Sequence, residues 1–372
     1  MFTVKAPKQY VSGPGVIRRS GELIASIGKH AAIIGGKKAL AAAGPELFAS
    51  LEQAGIGYSI HEFDGYVTAR AIQETADAIE RRPSEAPTLI LGVGGGRVLD
   101  LTKAVGDKLA LQVVTVPTVA ATCAAWSALT VLYDEQGVFT RGLELPEAPV
   151  LVLADTDILA AAPRRYLASG ISDTLVKWYE IAPLITIGQQ QLHYRANLAT
   201  ARLALEILEM HAREAYRIAG QGIASPAFKE TADAVIFLAG QAGSIVGDVV
   251  KANISHAIHN SLTRWEQTHG CLHGEKVAFG LVTQLFLEGK SEAEIRPLVE
   301  LLHELEQPLT LEQLGLTGGA PGPFAREIAR NVNIGRAVAE LLPFPVAAAQ
   351  IEQAILSADR IGRQESHIEG GS

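Results

Sequence analysis

The sequence contains few of the residues on which several classes of protein depend. Its 372 residues include only two cysteines, Cys123 and Cys271, which lie far apart and form no Cys-x-x-Cys pair. They predict neither a disulfide framework nor a thiolate zinc knuckle, and they fit a reducing cytoplasm. Lysine and arginine number 32 against 40 aspartates and glutamates, which gives a net charge of -8. Because nucleic acids and anionic membranes are bound through basic surfaces, we expect neither as a partner.

The sequence also lacks clear signals for secretion or membrane insertion. The N-terminal residues, MFTVKAPKQYVSGPG, do not have the basic and then apolar segments of a cleaved signal peptide. Residues 109–133 carry no charge over 25 positions, which is long enough to cross a bilayer. This run contains Pro117 and Gln112, and its first half is rich in valine. It therefore predicts a buried strand that leads into a pocket-lining loop, not a membrane span.

The apolar content, 48% of the residues, is enough for two cores, and the length suits two domains. Up to residue 155, apolar segments such as PTLILGVGGG and LQVVTVPT alternate with helical segments, and a hairpin is predicted within SALTVLYDEQGVFTRG. After ILAAAPRRYLASG only helical periodicity remains. We predict a doubly wound α/β dinucleotide-binding domain over 1–162, an all-helical domain over 163–362 and a disordered tail over 363–372. A ligand cleft is expected between the two domains.

The segment LILGVGGGRVLDLTKAV has the order strand, glycine turn, helix. Its bare amides and helix N-terminus are typical of an anion site, because Gly94, Gly95 and Gly96 would let a diphosphate approach the backbone. The match to G-x-G-x-x-G is incomplete, since Arg97 occupies the third glycine position, and a turn without a ligand is the alternative. Asp100, one turn into the helix, would bond a ribose or an amide, or stabilise the helix start.

The segment AAIIGGKKAL follows the pattern of a first strand and helix start, with Lys37 and Lys38 and no acid. At this position a carboxylate binds the ribose hydroxyl of NAD, whereas a cation binds the 2′-phosphate of NADP. Lys37 therefore favours NADP over NAD. The alternative is that both lysines only face solvent.

Four of the ten histidines lie in SHAIHNSLTRWEQTHGCLHGEK, namely His256, His259, His269 and His273. Crowded imidazoles are candidate ligands of zinc or iron. On a helix, the first pair shares a face at i, i+3 and the second at i, i+4. The sequence has no H-E-x-x-H, so a zinc protease is disfavoured. A further ligand must come from elsewhere; Asp173, in LASGISDTLVKWYE, is a candidate, with helix capping as its alternative role.

Together these segments resemble the glycerol dehydrogenase branch of the iron-containing alcohol dehydrogenase family over nearly the whole chain. The segments are GVGGGRVLDLTKAV, VPTVAATCAAWSALTVLY, SGISDTLVKWYE, SHAIHNSLT and HGEKVAFG. The resemblance implies a dehydroquinate synthase-like fold, a nicotinamide cofactor and one divalent metal, for which we favour zinc over iron. It implies Asp173, His256 and His273 as the ligands, with His259 nearby and His269 in a structural role.

The resemblance also implies where the dinucleotide binds. The diphosphate would contact Gly94, Gly95 and Gly96, with Asp100 beside it. Contacts to the nicotinamide half fall on Thr118, Ser127, Leu129 and Tyr133.

One position departs from the glycerol dehydrogenase pattern. Those enzymes have an acid that contacts the polyol hydroxyls, where VAATCAAW has Cys123. A thiol removes acceptors for a triol and also removes a charge that would repel an anionic substrate. Lys177, four residues after Asp173, would lie on the same side of a helix and pair with a substrate carboxylate, or else with Glu180 or solvent.

The segments AATCAAW and DTLVKWYE look most like the hydroxycarboxylate dehydrogenase subgroup. This implies hydride transfer between NAD(P)H and a small 2-oxo or 2-hydroxy acid, with the proton supplied through His259 or water. Oxidation of glycerol or a short polyol, a dehydroquinate synthase-like lyase and a non-catalytic nucleotide-binding module are the alternatives. We expect a homo-oligomer.

Overall fold

The computed structural model describes residues 1–81, 86–186, 191–247 and 253–368. Its strands are β1 (Phe2–Val4), β2 (Gln9–Gly13), β3 (His30–Gly35), β4 (Gly57–Glu62), β5 (Leu89–Gly94), β6 (Gln112–Pro117), β7 (Leu129–Tyr133), β8 (Phe139–Glu144), β9 (Leu151–Asp155) and β10 (Ile245–Gly247). Its α-helices are α1 (Ser20–Ile24), α2 (Lys37–Gln53), α3 (Ala69–Glu80), α4 (Gly96–Lys108), α5 (Thr156–Ala161), α6 (Arg164–Thr186), α7 (Leu192–Ile218), α8 (Pro226–Asp233), α9 (Ala239–Gly243), α10 (Ile254–Leu262), α11 (His273–Leu287), α12 (Glu292–Glu304), α13 (Pro321–Asn331), α14 (Arg336–Ala339) and α15 (Ala348–Ile368). Short 3-10 turns cover Val16–Arg19, Cys123–Ala125 and Glu266–Thr268, and a π-helical turn covers Ala234–Leu238.

The first compact unit, Thr3–Leu167 with Glu214–Val246, is built on a six-stranded sheet. The strand order is β2-β9-β6-β5-β3-β4 and every pair is parallel. Alternate side chains of one strand enter two different cores, Ile33 on one face and Ile34 on the other, both fully buried. Burial on both faces explains why these strands are continuously apolar. The predicted doubly wound parallel sheet is confirmed.

The strand and the loop predicted within the uncharged run at residues 109–133 are both present, and the pocket-lining role of the loop stays a prediction. The run forms the central strand β6, a loop with one 3-10 turn, and β7, which pairs with β8 in an antiparallel hairpin. The described ranges contain no helix that is both long and apolar enough to cross a bilayer.

The second compact unit comprises the described residues of 168–213 and 247–368, together with Met1 and Phe2. Its described secondary structure after residue 247 is entirely helical, as the periodicity predicts. Helix α11 supplies much of its core, because Val277, Ala278, Phe279 and Leu281 are all fully buried. Such an all-round apolar helix is surrounded by other helices.

Two details differ from the sequence-based division. Residues 214–246 were predicted to belong to the helical domain, but they form part of the α/β unit. Tyr10 of β2 donates a hydrogen bond to Asp233 at 2.6 Å and stacks on Phe237, whose ring also contacts Trp126. Helical periodicity shows that a helix has an apolar face, but not which core that face enters.

The predicted tail over 363–372 is the second difference. Helix α15 continues to Ile368, while residues 369–372 lie outside the described ranges. Arg363 is paired with Asp359 at 2.8 Å and with Glu312 at 3.0 Å. These ion pairs stabilise the polar segment that begins at Arg363 in the helical conformation.

Candidate active site

The three side chains predicted as metal ligands lie together in the helical unit. One ligand atom of each of Asp173, His256 and His273 lies within 4.8 Å of the others. Asp173 Oδ1 is 3.3 Å from Nε2 of His256 and 3.3 Å from Nε2 of His273. A tetrahedral ion with bonds of about 2.0–2.1 Å separates its ligand atoms by about 3.3–3.4 Å. The residues present therefore fit a zinc-sized divalent ion.

Close packing of three helices creates this cluster. Asp173 lies well inside α6, which begins at Arg164, so the alternative that it caps the helix does not apply. His273 is the first residue of α11, and a Cβ on the next residue, Gly274, would lie 1.8 Å from the carbonyl oxygen of Ser169 in α6. Gly274 is therefore required for the start of α11 to reach α6. The absence of a side chain there brings His273 beside Asp173.

A buried carboxylate orients the imidazole of His256. Both oxygens of Glu180 lie 2.9 Å from Nδ1 of His256, and the backbone N–H of His256 donates to the same carboxylate at 3.2 Å. With Nδ1–H donating, the lone pair of Nε2 is directed at Asp173, which is the tautomer a metal ligand needs. Burial alone would lower the pKa of His256, but the charge of Glu180 raises it to about 9.

A second chain of hydrogen bonds orients His273. Its Nδ1 is 3.0 Å from Nε2 of His259, and Nδ1 of His259 is 2.9 Å from Oδ1 of Asn260. If Nε2 of His273 is left free for an ion, Nδ1–H of His273 donates to His259, and Nδ1–H of His259 donates to Asn260. Burial lowers the pKa of His273 and holds that of His259 well below its usual value, so both rings are neutral. His259 thus lies behind His273, and its proton-supplying role stays a prediction.

Lys177 lies on the predicted side of α6. Its Nζ is 3.2 Å from Oδ1 of Asp173, the same oxygen that faces both imidazoles. Burial opposes ionisation of Asp173, but Lys177 and the two imidazoles outweigh it and hold the pKa of the carboxyl well below its usual value. The Asp173 side chain is 4% exposed, whereas those of His256 and His273 are 23% and 28% exposed. The cluster therefore has a buried anion on one side and accessible imidazoles on the other.

The sequence did not indicate that Glu180 belongs to the site, and it gave His269 no role as a ligand. Glu180 follows Asp173 by seven residues, two helical turns, so its position on the same face of α6 was the available signal. His269 Nε2–H donates to the carbonyl oxygen of Thr263 at 2.8 Å, in keeping with the structural role that was expected.

The glycine turn lies in the α/β unit between β5 and α4. Gly95 is the N-cap of α4 and offers no side-chain acceptor to the first-turn amides. A Cβ on Gly94 would lie 2.8 Å from Val98, and one on Gly96 would lie 3.2 Å from Oγ1 of Thr122. Gly94 is therefore required for the packing of this turn, and all three glycines are suited to an anion. Their contact with a diphosphate stays a prediction.

The predicted nicotinamide contacts converge on the first turns of α4. Asp100 Oδ2 accepts a hydrogen bond from the N–H of Val131 at 3.0 Å, and its other oxygen is paired with Lys103. Lys103, which sequence reasoning missed, donates in turn to Ser127 and Leu129. Three predicted cofactor residues are thus joined through one lysine.

The other predicted cofactor and substrate residues also lie in the α/β unit. Thr118 is buried and donates its N–H to Gly94 at 3.1 Å. The ring of Tyr133 lies 5.6 Å from that of Tyr66, and burial raises the pKa of Tyr133 above its usual value. Lys37 is exposed at the start of α2, and Cys123 is a partly exposed residue at the start of a 3-10 turn.

Comparison with known proteins supports this arrangement. Residues 7–156 match the model of the family described as iron-containing alcohol dehydrogenase. A glycerol dehydrogenase of Escherichia coli O6:H1 is 33% identical over 365 residues, which cover 97% of both chains. Hydroxycarboxylate dehydrogenase A of Escherichia coli K12 is 31% identical over 84% of both chains. A crystal structure of a probable glycerol dehydrogenase from Sinorhizobium meliloti 1021 has a TM-score of 0.86 at 27% identity and covers 97% of this chain and 99% of its own.

Similarity along nearly the whole length, a shared fold and an intact candidate ligand set agree with one another. The family model matches residues that form the parallel sheet. The similarity to the full-length relatives also includes the helical unit. The chain therefore belongs to the iron-containing alcohol dehydrogenase family, in which it falls among the glycerol dehydrogenase relatives, and it is an oxidoreductase.

Proposed function

We propose that the protein reduces small 2-oxo acids, and oxidises the corresponding 2-hydroxy acids, with a nicotinamide cofactor and one divalent metal. The observation that carries this proposal is the ammonium group of Lys177, 3.2 Å from Asp173 Oδ1 at the edge of the ligand cluster. A cation at this point offers a partner to a carboxylate substrate whose oxo group faces the cluster. An uncharged polyol has no group that needs such a partner.

The metal site supports a Lewis-acid role. Family members use NAD(H) and a divalent metal, and here Asp173, His256 and His273 would hold the ion. The ion would supply the positive charge that polarises the substrate oxygen. The protein's own contribution is to direct both Nε2 atoms at the ion, through Glu180 behind His256 and His259 behind His273. We favour zinc because two imidazoles and one carboxylate form a common zinc ligand set that leaves a position open for chemistry, with iron as the alternative.

Residues of the α/β unit support the choice of substrate and cofactor. Cys123, in place of an acid, leaves that turn without a carboxylate that would repel an anionic substrate. Lys37 and Lys38 are exposed where α2 begins, and the first turn of α2 has no acid. Two cations and no carboxylate favour the 2′-phosphate of NADP over the free ribose hydroxyl of NAD.

Glycerol or short-polyol oxidation is the second candidate. It is favoured by the glycerol dehydrogenase relative, whose similarity covers 97% of both chains against 84% for hydroxycarboxylate dehydrogenase A. Both candidates use the same ligand cluster, so they differ in what Lys177 and Cys123 contact.

We also propose that the active protein is a homo-oligomer.

A substrate panel distinguishes the two candidates. The protein is stripped of metal, reloaded with zinc or with ferrous iron, and assayed on 2-oxobutyrate with NADH and NADPH and on glycerol with NAD and NADP. We expect the highest kcat/KM with 2-oxobutyrate, NADPH and zinc. A higher kcat/KM on glycerol than on 2-oxobutyrate would show that the substrate is a polyol and not a 2-oxo acid. No turnover of any acid or polyol with either cofactor would contradict the proposed dehydrogenase.

A further inference from the structure

Helix α4 contains a lysine that is almost completely buried. Lys103 is 2% exposed, and its side chain is 1% exposed. Lysine is among the residues least often found in a protein interior, because its charge loses hydration there and must be compensated by partners. Its neighbours on the helix, Thr102 and Ala104, are buried as well, so the helix cannot turn this charge towards solvent. The surroundings of Lys103 must therefore satisfy its ammonium group.

Four oxygen atoms surround the ammonium group. Nζ of Lys103 lies 2.9 Å from Asp100 Oδ1, 3.1 Å from the carbonyl oxygen of Ser127 and 3.2 Å from the hydroxyl oxygen of Ser127. It also donates to the carbonyl oxygen of Leu129. Three of these acceptors belong to the segment that leads into β7. The ammonium group therefore attaches that segment to α4.

Asp100 also binds this part of the chain, through contacts with β7 itself. Its Oδ2 accepts the N–H of Val131 at 3.0 Å, and its carbonyl oxygen accepts the hydroxyl of Thr130 at 2.9 Å. Asp100 and Lys103 lie three positions apart on α4, so their side chains share one face of the helix. Between them they make contacts at Ser127, Leu129, Thr130 and Val131. This set includes Ser127 and Leu129, two of the four residues predicted to contact the nicotinamide half.

The chemistry of the ammonium group also determines the direction of the Ser127 hydroxyl. A lysine ammonium has three donors and no acceptor, so its donors are shared among the four oxygens, and in its contact with Ser127 Oγ the hydroxyl is the acceptor. The O–H of Ser127 is therefore directed away from Lys103. A serine in this position can donate its O–H to a ligand. The carboxamide oxygen of a nicotinamide ring is an acceptor of matching polarity.

We propose that Lys103 is a positioning residue for the cofactor: it orients Ser127 as a hydrogen-bond donor to the nicotinamide carboxamide and fixes Leu129 beside it. This inference rests on the proposed function and on the family resemblance, which implies that Ser127 and Leu129 contact the nicotinamide half. Burying an ion pair is no more stabilising than burying apolar side chains of similar volume. An apolar residue at position 103 could not donate hydrogen bonds to Ser127 and Leu129, whereas Lys103 does.

The test compares a full cofactor with one that lacks nicotinamide. Dissociation constants of NADPH and of 2′-phospho-ADP-ribose are measured by calorimetry for the zinc-loaded protein, for Lys103→Met and for Lys108→Met. NADH and ADP-ribose replace them if the wild type prefers NADH. Lys108 is exposed at the end of the same helix and serves as the matched control. We expect Lys103→Met to weaken NADPH by about tenfold, the loss of one or two hydrogen bonds, with 2′-phospho-ADP-ribose unchanged. Lys108→Met should leave both constants unchanged.

A second pair of variants covers the case in which Lys103→Met does not fold, because it leaves Asp100 buried without its partner. Asp100→Asn alone and Asp100→Asn with Lys103→Met are then compared by the same two titrations. A selective loss of NADPH affinity on adding Lys103→Met supports the positioning role. Equal losses for both ligands, or no loss for either, would overturn it.

The outcome for the wild type separates this inference from the proposed function. If the wild-type protein binds no nicotinamide dinucleotide, the proposed function fails. If it binds one and the ratio of the two affinities does not change when Lys103 is replaced, only the positioning role fails.

Discussion

At the scale of single residues, the candidate metal site depends on which ring nitrogen of each histidine carries a proton. Glu180 accepts from Nδ1 of His256, and His259 accepts from Nδ1 of His273. Both arrangements make Nε2 the nitrogen that faces Asp173, where an ion can bind once any proton there is displaced. The ligand cluster is therefore organised by side chains that do not themselves face the ion.

Replacement of Glu180 tests this organisation. Glu180→Gln keeps the size of the side chain and removes its charge, so Nδ1–H of His256 loses a charge-assisted bond. We expect zinc affinity to fall by about 10-fold to 100-fold, the usual effect of removing an outer partner of a metal ligand. Competition with a chromophoric chelator measures it. Glu206→Gln, at an exposed position on α7, is the control. Equal zinc affinities for wild type and Glu180→Gln would contradict the role assigned to Glu180.

Replacement of Lys177 tests the substrate class at the same scale. Lys177→Met removes the cation and keeps much of the alkyl chain. We expect kcat/KM for 2-oxobutyrate to fall by about 10-fold to 100-fold, the worth of one hydrogen bond between charged groups. Turnover of glycerol should change much less, because a polyol carries no charge for Lys177 to pair with.

Zinc content must be measured alongside these rates, because Lys177 also contacts Asp173. Lys290→Met, at an exposed site on the surface, is the matched control. Equal losses on the acid and on the polyol would show that Lys177 acts only through Asp173.

At the scale of elements, a single glycine determines how closely two ligand-bearing helices approach. The Cβ of an alanine at position 274 would lie 1.8 Å from the carbonyl oxygen of Ser169, so α11 and α6 would have to separate. Gly280 has the same role between α11 and α10, where a Cβ would lie 2.5 Å from the carbonyl oxygen of Ser255. Backbone atoms cannot move aside as flexible side chains do.

We therefore expect Gly274→Ala to damage both stability and metal binding. Overpacking of this kind costs about 1–3 kcal/mol in the free energy of unfolding, and the separation of His273 from Asp173 should remove most of the zinc. Urea denaturation and zinc analysis measure the two effects. Gly322→Ala is the control, because a Cβ there would meet nothing within 4 Å. A Gly274→Ala protein with full zinc content would contradict this account of the ligand geometry.

The sequence predicted these elements unevenly, and the reasons are physical. The parallel strands and the β7–β8 hairpin were predictable because apolar runs and a glycine turn are local signals. The pairing of Asp173 with His256, 83 residues later in the chain, followed from the family resemblance and not from any spacing. Lys103 was missed because a lysine on a helix is normally solvated, and its burial depends on the hairpin that packs over α4.

At the scale of the whole molecule, the two sets of predicted site residues belong to different compact units. The three candidate ligands, Lys177 and His259 belong to the helical unit, and the glycine turn with the predicted nicotinamide contacts belongs to the α/β unit. The boundary after residue 162 could not be predicted more closely, because residues 214–246 return to the α/β unit after a long helical segment. Composition and periodicity do not record such a return of the chain.

This division predicts that metal binding and dinucleotide binding are lost separately. Asp173→Asn replaces the carboxylate whose Oδ1 lies close to both imidazoles by an uncharged amide, which is a much weaker metal ligand. We expect it to abolish turnover and zinc binding while the dissociation constant of the dinucleotide stays within about twofold, well under the 1.4 kcal/mol of a tenfold change. Zinc at about 1,000 times its dissociation constant should stabilise the wild type by about 4 kcal/mol, and this stabilisation should vanish in Asp173→Asn. Chelator-treated wild type is the control, since it should match the variant in both thermal stability and dinucleotide binding. If the Asp173→Asn protein still gains stability from zinc, the ion binds elsewhere. If the variant also loses dinucleotide binding, metal binding and dinucleotide binding are not independent.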